Sequence, residues 1–202
     1  QQLEDDQYLD FIEALLTHIL QLNKTEVILP ILGWFMATPL KPKIQQRFGG
    51  FPVLMVSGTR GAGKTSLMKL FWAMSGFSID RNKLLSVTET PFMLLKLFSA
   101  SWSIPIVFDE FKAHDLKLDD RNKFTRYLRR SYNGEFEHRG RPDLSSIEYE
   151  LSSPVAVIGE DSLTEGALLE RIIPIDIPAT GIDHQMKQAY QSVKKLPLLN
   201  HF

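Results

Sequence analysis

The 202-residue sequence contains no cysteine. That absence excludes disulfides and thiolate-held metals and fits a reducing, cytosolic setting. No apolar stretch is long enough to span a bilayer and no signal-peptide pattern opens the chain, so no membrane partner is expected. Net charge is nearly absent: 23 Lys and Arg against 24 Asp and Glu leave −1. Affinity for nucleic acid would have to come from a local patch. The five histidines, His18, His114, His138, His184 and His201, do not stand at metal-ligand spacing, and no Ser/His/Asp set stands out. There is no internal repeat and no low-complexity segment. What remains is 44% hydrophobic and 23% charged, enough for one globular domain with a full-sized core. The chain starts at Gln1 rather than Met, and Leu196–Phe202 carries no obvious stop, so it reads as a piece of a longer protein.

Apolar spacing predicts an amphipathic helix over Tyr8–Leu22 and a second helix from Glu26 to about Thr38, closed by Pro39 and Pro42. Val53–Ser57 is a short, almost wholly apolar run, the pattern of a strand buried on both faces of a parallel sheet. A helix is expected from Lys64 to Ser75, a second strand over Leu84–Val87, and a helix over Pro91–Ser99; the Thr88-Glu89-Thr90 segment before it is either its cap or a polar contact to nucleotide or DNA. Further strands are read at Ile104–Phe108, Val155–Ile158 and Ile172–Ile177. A charged helix spans Asp119–Ser131, a hairpin pairs Glu135–Arg139 with Ile147–Leu151, and a short helix covers Thr164–Glu170. A last helix falls near Asp183–Lys195. Strands alternating with helices predict an α/β domain with a mostly parallel sheet. Residues 1–48 would form an N-terminal helical collar, 49–180 the core and 181–202 a C-terminal helical segment. Trp34, Trp72 and Trp102 sit in apolar runs and are expected in the core.

Gly58-Thr59-Arg60-Gly61-Ala62-Gly63-Lys64-Thr65 matches G-x-x-x-x-G-K-[ST] between an apolar strand and a helix, the context that gives the motif its meaning. Glycines let backbone N–H groups turn inward around phosphates, and the following helix adds its positive end. The loop, Gly58 through Ser66, predicts binding of ATP or GTP. Lys64 would reach the β- and γ-phosphates, and the Thr65 hydroxyl would ligate Mg²⁺. Downstream, Ile104–Phe108 runs into Asp109-Glu110. Asp109 is expected to hold Mg²⁺ through its water shell and Glu110 to polarise an attacking water. That second carboxylate favours hydrolysis over transfer to a metabolite, as a kinase would require.

Two further positions each carry two readings. Glu160 ends the apolar run Val155–Gly159, where it either senses the γ-phosphate or caps the next helix. Arg171, just before the last strand, is either an arginine finger reaching a neighbouring protomer's phosphates or the partner of Glu170, Glu165 or Asp161.

The loop, Asp109-Glu110, the Gly159-Glu160 strand tip and Leu168-Leu169-Glu170-Arg171 together resemble the AAA+ and superfamily 3 helicase branch of P-loop ATPases. They are most similar to the helicase domains of phage, plasmid and mobile-element primase-helicases. An Asn is usual where Glu160 stands here. The resemblance, over roughly Phe51–Ala179, implies a P-loop three-layer sandwich with sheet order 5-1-4-3-2. It also implies a hexameric ring moving along DNA, and an associated primase or primase-polymerase module. Finally it implies a DNA-touching hairpin before the fourth strand. The residues there permit that role: Lys123, Arg126 and Arg130 share a helix face, and Arg139-Gly140-Arg141 would form the hairpin tip. Such a stripe suits backbone contact with single-stranded DNA, or is a solvated face balanced by Asp115, Asp119 and Asp120. A helicase or translocase core is therefore expected, with an ATP-driven assembly switch as the alternative.

Overall fold

Alternating apolar residues in the strands divide the core into two halves. In β1 (Val53–Gly58), Leu54 and Val56 join one hydrophobic cluster, and Val53 and Met55 join the other. In β3 (Ile106–Phe111), Val107 opposes Ile106 and Phe108. In β6 (Val155–Gly159), Ala156 and Ile158 oppose Val155 and Val157. Strands buried on both faces require helices on both faces, and the computed structural model has them. It describes residues 5–73, 75, 84–140, 145–178 and 183–195, with side chains from residue 12 onward.

One layer holds α1 (Asp5–Ile19), α2 (Thr25–Ala37), α4 (Lys64–Ala73) and α8 (His184–Lys194), joined through Ile19, Ile28, Ile31, Met68, Phe71 and Val193. The N-terminal helices and α8 thus share a cluster with the sheet itself. The opposite layer holds α5 (Pro91–Phe98), α6 (Leu118–Asn133) and the short α7 (Gly166–Leu169). Its centre is aromatic: Phe98 and Phe108 stack at 5.5 Å, and Phe124 meets Phe108 edge-on at 5.1 Å.

The sheet order is β2 (Leu85–Ser86), β3, β6, β1, β7 (Ile172–Ile177), and all its pairings are parallel. Counting only these five strands, that is the expected 5-1-4-3-2 read from the other edge of a P-loop NTPase sandwich. The antiparallel hairpin of β4 (Phe136–Gly140) and β5 (Ser146–Glu150) stands apart from it, with Phe136 opposite Glu150. No helix among the described residues is long and apolar enough to cross a membrane.

Two expectations change, and one helix is added. α2 ends at Ala37 ahead of Pro39, as read, but Pro39 then lies in a 3-10 turn (Thr38–Leu40) and Pro42 in the first turn of a further helix, α3 (Lys41–Phe48). At a helix start the missing N–H costs nothing. The third strand begins later than read and runs through Asp109 and Glu110 to Phe111. Trp102 is 45% exposed, whereas Trp34 and Trp72 are buried and donate Nε1–H to the carbonyls of Pro52 and Pro105. A buried indole needs an acceptor, and apolar neighbours in the sequence do not supply one.

α3 clamps the base of the hairpin. Lys41 is 1% exposed, and its Nζ donates to the carbonyls of Ser153 (2.9 Å) and Ser131 (3.4 Å). Gln45 Nε2 donates to Tyr132 O at 2.8 Å. Burial pushes the Lys41 ammonium down from 10.5 to about 7, against the opposing pull of Glu150. Between those values the unfolded chain holds a proton that the folded chain has released, so stability rises with pH across that window. Substituting Lys41→Met should flatten the rise. Measured by urea unfolding from pH 7 to 10, the parent should gain on the variant by up to about 1 kcal/mol per pH unit. A constant difference between the two would show that Lys41 titrates like an exposed lysine.

Candidate active site

The glycine-rich loop read from the sequence as a phosphate loop leaves the C-terminal end of β1 in a conformation that its glycines permit. Gly58 has φ 146°, and a Cβ there would lie 2.5 Å from the carbonyl oxygen of Ile177 on the adjacent β7. Gly61 and Gly63 have φ of 81° and 82°. Ser57 braces the same spot by donating to Asp176 Oδ1 at 3.1 Å. Lys64 opens α4, is buried, and arches back so that Nζ donates to the carbonyls of Gly58 (2.6 Å) and Thr59 (2.8 Å). Thr65 follows, and its Oγ1 donates to Asp109 Oδ2 at 2.9 Å. Two motifs 44 residues apart in sequence thus meet side chain to side chain.

Asp109 and Glu110 are consecutive, and consecutive residues of a regular strand face opposite sides. Here both line one cleft. The reason is a bulge: Phe108 pairs with Val157 and Phe111 with Gly159, so β3 carries one more residue than β6 over that span. Glu110 absorbs the irregularity with φ 61°, the only positive φ outside glycine among the described residues. Its N–H is taken by Asp109 Oδ1 at 2.8 Å. The partner strand must come close here, because a Cβ on Gly159 would sit 2.4 Å from the carbonyl oxygen of Phe111.

The cleft, about 500 Å³, is lined by Arg60, Gly61, Lys64 and Thr65 from the loop side and by Asp109, Glu110, Lys112, Asp115 and Glu160 opposite. Ser86 and Thr88, hydrogen-bonded to each other at 2.7 Å, close one flank. Three cations face four carboxylates, so the lining is net negative and suits a polyphosphate only together with a further cation. The adjacent Thr65 hydroxyl and Asp109 carboxylate are hard oxygen donors of the kind Mg²⁺ takes. The sequence motifs do not contain Lys112, Asp115 or Ser86, and no spacing rule marks them; Thr88 belongs to the segment read as a helix cap or a polar contact to nucleotide or DNA, and it lines this cleft.

A second cavity, about 140 Å³, adjoins the other side of the loop. Leu22, Asn23, Ala62, Gly63, Ser66, Met186 and Tyr190 line it. Ser66, assigned with the phosphate loop from sequence, faces this space. Tyr190 and Asn23 come from segments far apart in the chain, and nothing in the sequence links them.

Glu160 follows β6 and pairs with Lys112 at 3.1 Å. Next to it, Asp161 accepts from Ala113 N (2.8 Å) and meets His114 Nδ1 (2.9 Å). The His114 contact and the Ala113 N–H hold the Asp161 carboxyl below its ordinary value despite partial burial. Arg171 lies at the other end of the sheet. Its carbonyl accepts from Val53 N, its guanidinium donates to the Ala167 carbonyl, and it rests 5.7 Å from the Tyr132 ring. The six residues of β1 separate it from the loop by roughly 20 Å, so it does not reach the cleft of its own chain. Two of the acids considered as its partners are engaged elsewhere, Glu165 with Arg129 and Asp161 with His114.

The basic stripe is largely self-neutralised. Arg126 pairs with Glu137 at 2.7 Å, and Arg130 with Glu135 at 3.0 Å and with Glu137. Lys123 and Arg139 remain around a cleft of about 440 Å³ that also holds Phe92 and His138. The Arg139 guanidinium lies 4.0 Å from the centre of the Phe92 ring, and Lys96 Nζ lies 4.8 Å from it. Phe92 and Lys96 belong to α5, so sequence position gave no reason to join them to the hairpin. Arg141 lies outside the described residues.

The sequence matches no protein-family model and no curated protein. Its fold is found in the SCCmec type IV Cch active helicase, with TM-score 0.58 and 18% identity over 90% of this chain and 34% of that one. It is also found in the JCV helicase, with TM-score 0.54 and 16% identity over 95% of this chain and 53% of that one. The chain therefore spans about a third of the first and about half of the second.

If the bulge strains Glu110, then Glu110→Gly should stabilise the fold by about 1 kcal/mol in urea unfolding, since glycine adopts a positive φ freely. Equal or lower stability would mean the backbone there is relaxed.

Proposed function

We propose that this chain is the ATP-hydrolysing motor core of a DNA helicase or translocase that works as a ring oligomer. The observation that carries the ATPase reading is the 2.9 Å bond between Thr65 and Asp109 with Glu110 turned into the same cleft. The loop amides and Lys64 hold the β- and γ-phosphates, Lys64 exchanging its two carbonyl acceptors for phosphate oxygens. Mg²⁺ held by Thr65 and Asp109 would neutralise charge on those phosphates. Glu110 accepts a hydrogen bond from the attacking water, aims it at the γ-phosphorus and takes up its proton as the bond to the bridging oxygen breaks. The apolar cavity beside Tyr190 supports a place for the base. The helicases sharing this fold support the motor reading over a nucleotide kinase.

Arg171 is too distant for its own loop and stands at the far end of the sheet. We assign it to the phosphates of a neighbouring protomer, which makes a closed ring, with six members as the working number, the active form. Single-stranded DNA contacts Lys123, Arg139 and the Phe92 ring on the hairpin side, while Arg126 and Arg130 shape the hairpin through Glu137 and Glu135. A primase or polymerase module elsewhere in a longer protein is compatible with the short span of the match. The same internal pairing of Arg126 and Arg130 favours the second reading, an ATP-driven assembly switch that does not travel on DNA.

Steady-state ATP hydrolysis with and without single-stranded DNA separates the two. Glu110→Gln should lower kcat at least about 100-fold while still binding nucleotide, and DNA should stimulate the parent several-fold, an effect lost in Lys123→Ala/Arg139→Ala. Turnover indifferent to DNA would favour the switch. For the ring, mixtures of Arg171→Ala and Lys64→Ala subunits should recover part of the activity that each lacks alone. No recovery at any ratio would remove Arg171 from the site of its neighbour.

A further inference from the structure

Beside Lys64 and Arg60 the cleft contains a third cation, Lys112, just past the bulged end of β3. Its Nζ lies 3.1 Å from Glu160 Oε1, and both side chains are only partly buried, at 34% and 40% exposed. β6 runs between β1 and β3, so Glu160 at its tip and Lys112 beside it stand across the cleft from the phosphate loop. A bare carboxylate in that position would repel a terminal phosphate. Paired with Lys112, it is neutralised and holds a cation ready.

We propose that Lys112 is a terminal-phosphate ligand latched by Glu160: its ammonium turns from the carboxylate to a γ-phosphate oxygen when a nucleoside triphosphate binds, staying between the two anions, and returns when a diphosphate is left. This rests on the reading of the cleft as a triphosphate site. The exchange is favourable because a half-exposed ion pair is weak, whereas a terminal phosphate offers more charge and more acceptor oxygens in a narrower space. A diphosphate ends one phosphate short and leaves the pair closed. The charges around Lys112 suit such a balance. Glu160 and Asp115 favour its charged form, and Arg60 on the loop opposes it. The surrounding backbone is held in place, because Asp161 ties Ala113 and His114 to the residue after Glu160. The switch is therefore a side-chain exchange rather than a loop movement.

Equilibrium binding of a non-hydrolysable ATP analogue and of ADP, each with Mg²⁺, tests this. In Lys112→Ala the triphosphate should bind about tenfold more weakly, with ADP within about twofold of the parent. Lys112→Arg should restore most of the preference. The double variant Lys112→Ala/Glu160→Gln decides the cause. If Lys112 touches the γ-phosphate, the double variant keeps the loss. If the lysine only masks Glu160, the double variant regains the parental preference and the proposal falls. Equal weakening of both nucleotides in Lys112→Ala would also overturn it. A parent that binds neither nucleotide, or a Lys64→Ala variant that binds both normally, would instead defeat the reading of the cleft itself.

Discussion

The insertion of β6 between β1 and β3 is the constraint on which the rest depends. Because the three strands are parallel, their C-terminal ends lie side by side. The chain must return across the sheet between these strands, and the helices that carry it back cover both faces. That arrangement places the phosphate loop, the Asp109-Glu110 pair and Glu160 along one edge with no other choice of position. It also sends Arg171, just before β7, to the opposite end of the sheet.

Packing at that edge is close enough to set the chemistry. Gly159 and Gly58 stand where a side chain would strike a neighbouring carbonyl, so the strands approach without side chains between them. The bulge in β3 lies at the same close approach and turns Glu110 into the cleft beside Asp109. The positive φ of Glu110 falls at the end of a strand backed by the aromatic cluster of Phe98, Phe108 and Phe124. Stability of the core and geometry of the site are therefore joined through one strand.

The hairpin illustrates how charge read along a sequence differs from charge in space. Seven basic residues between Arg121 and Arg141 look like a continuous stripe beside two acids. Those two acids, Glu135 and Glu137, are placed to take Arg126 and Arg130, which fixes the hairpin against α6. The cations left around Phe92 come from three different elements.

Local pattern determined much of this protein. The two-sided apolar strands, the glycine loop before a helix and the acids ending β3 each depend on residues within a few positions of one another. They yielded the α/β class with a mostly parallel sheet, together with the loop and the Asp109-Glu110 pair; the strand order followed only from the resemblance those motifs carry. Tertiary structure alone decided the rest, because it depends on distances between segments that the chain does not encode by spacing. Lys112 meets Glu160 only because β3 and β6 are neighbours, and Phe92 meets Arg139 only because α5 packs beneath the hairpin. Tyr190 reaches the phosphate loop only through the packing of α8. Trp102 sits in an apolar run like Trp34 and Trp72, yet it is exposed because none of the described elements covers that turn.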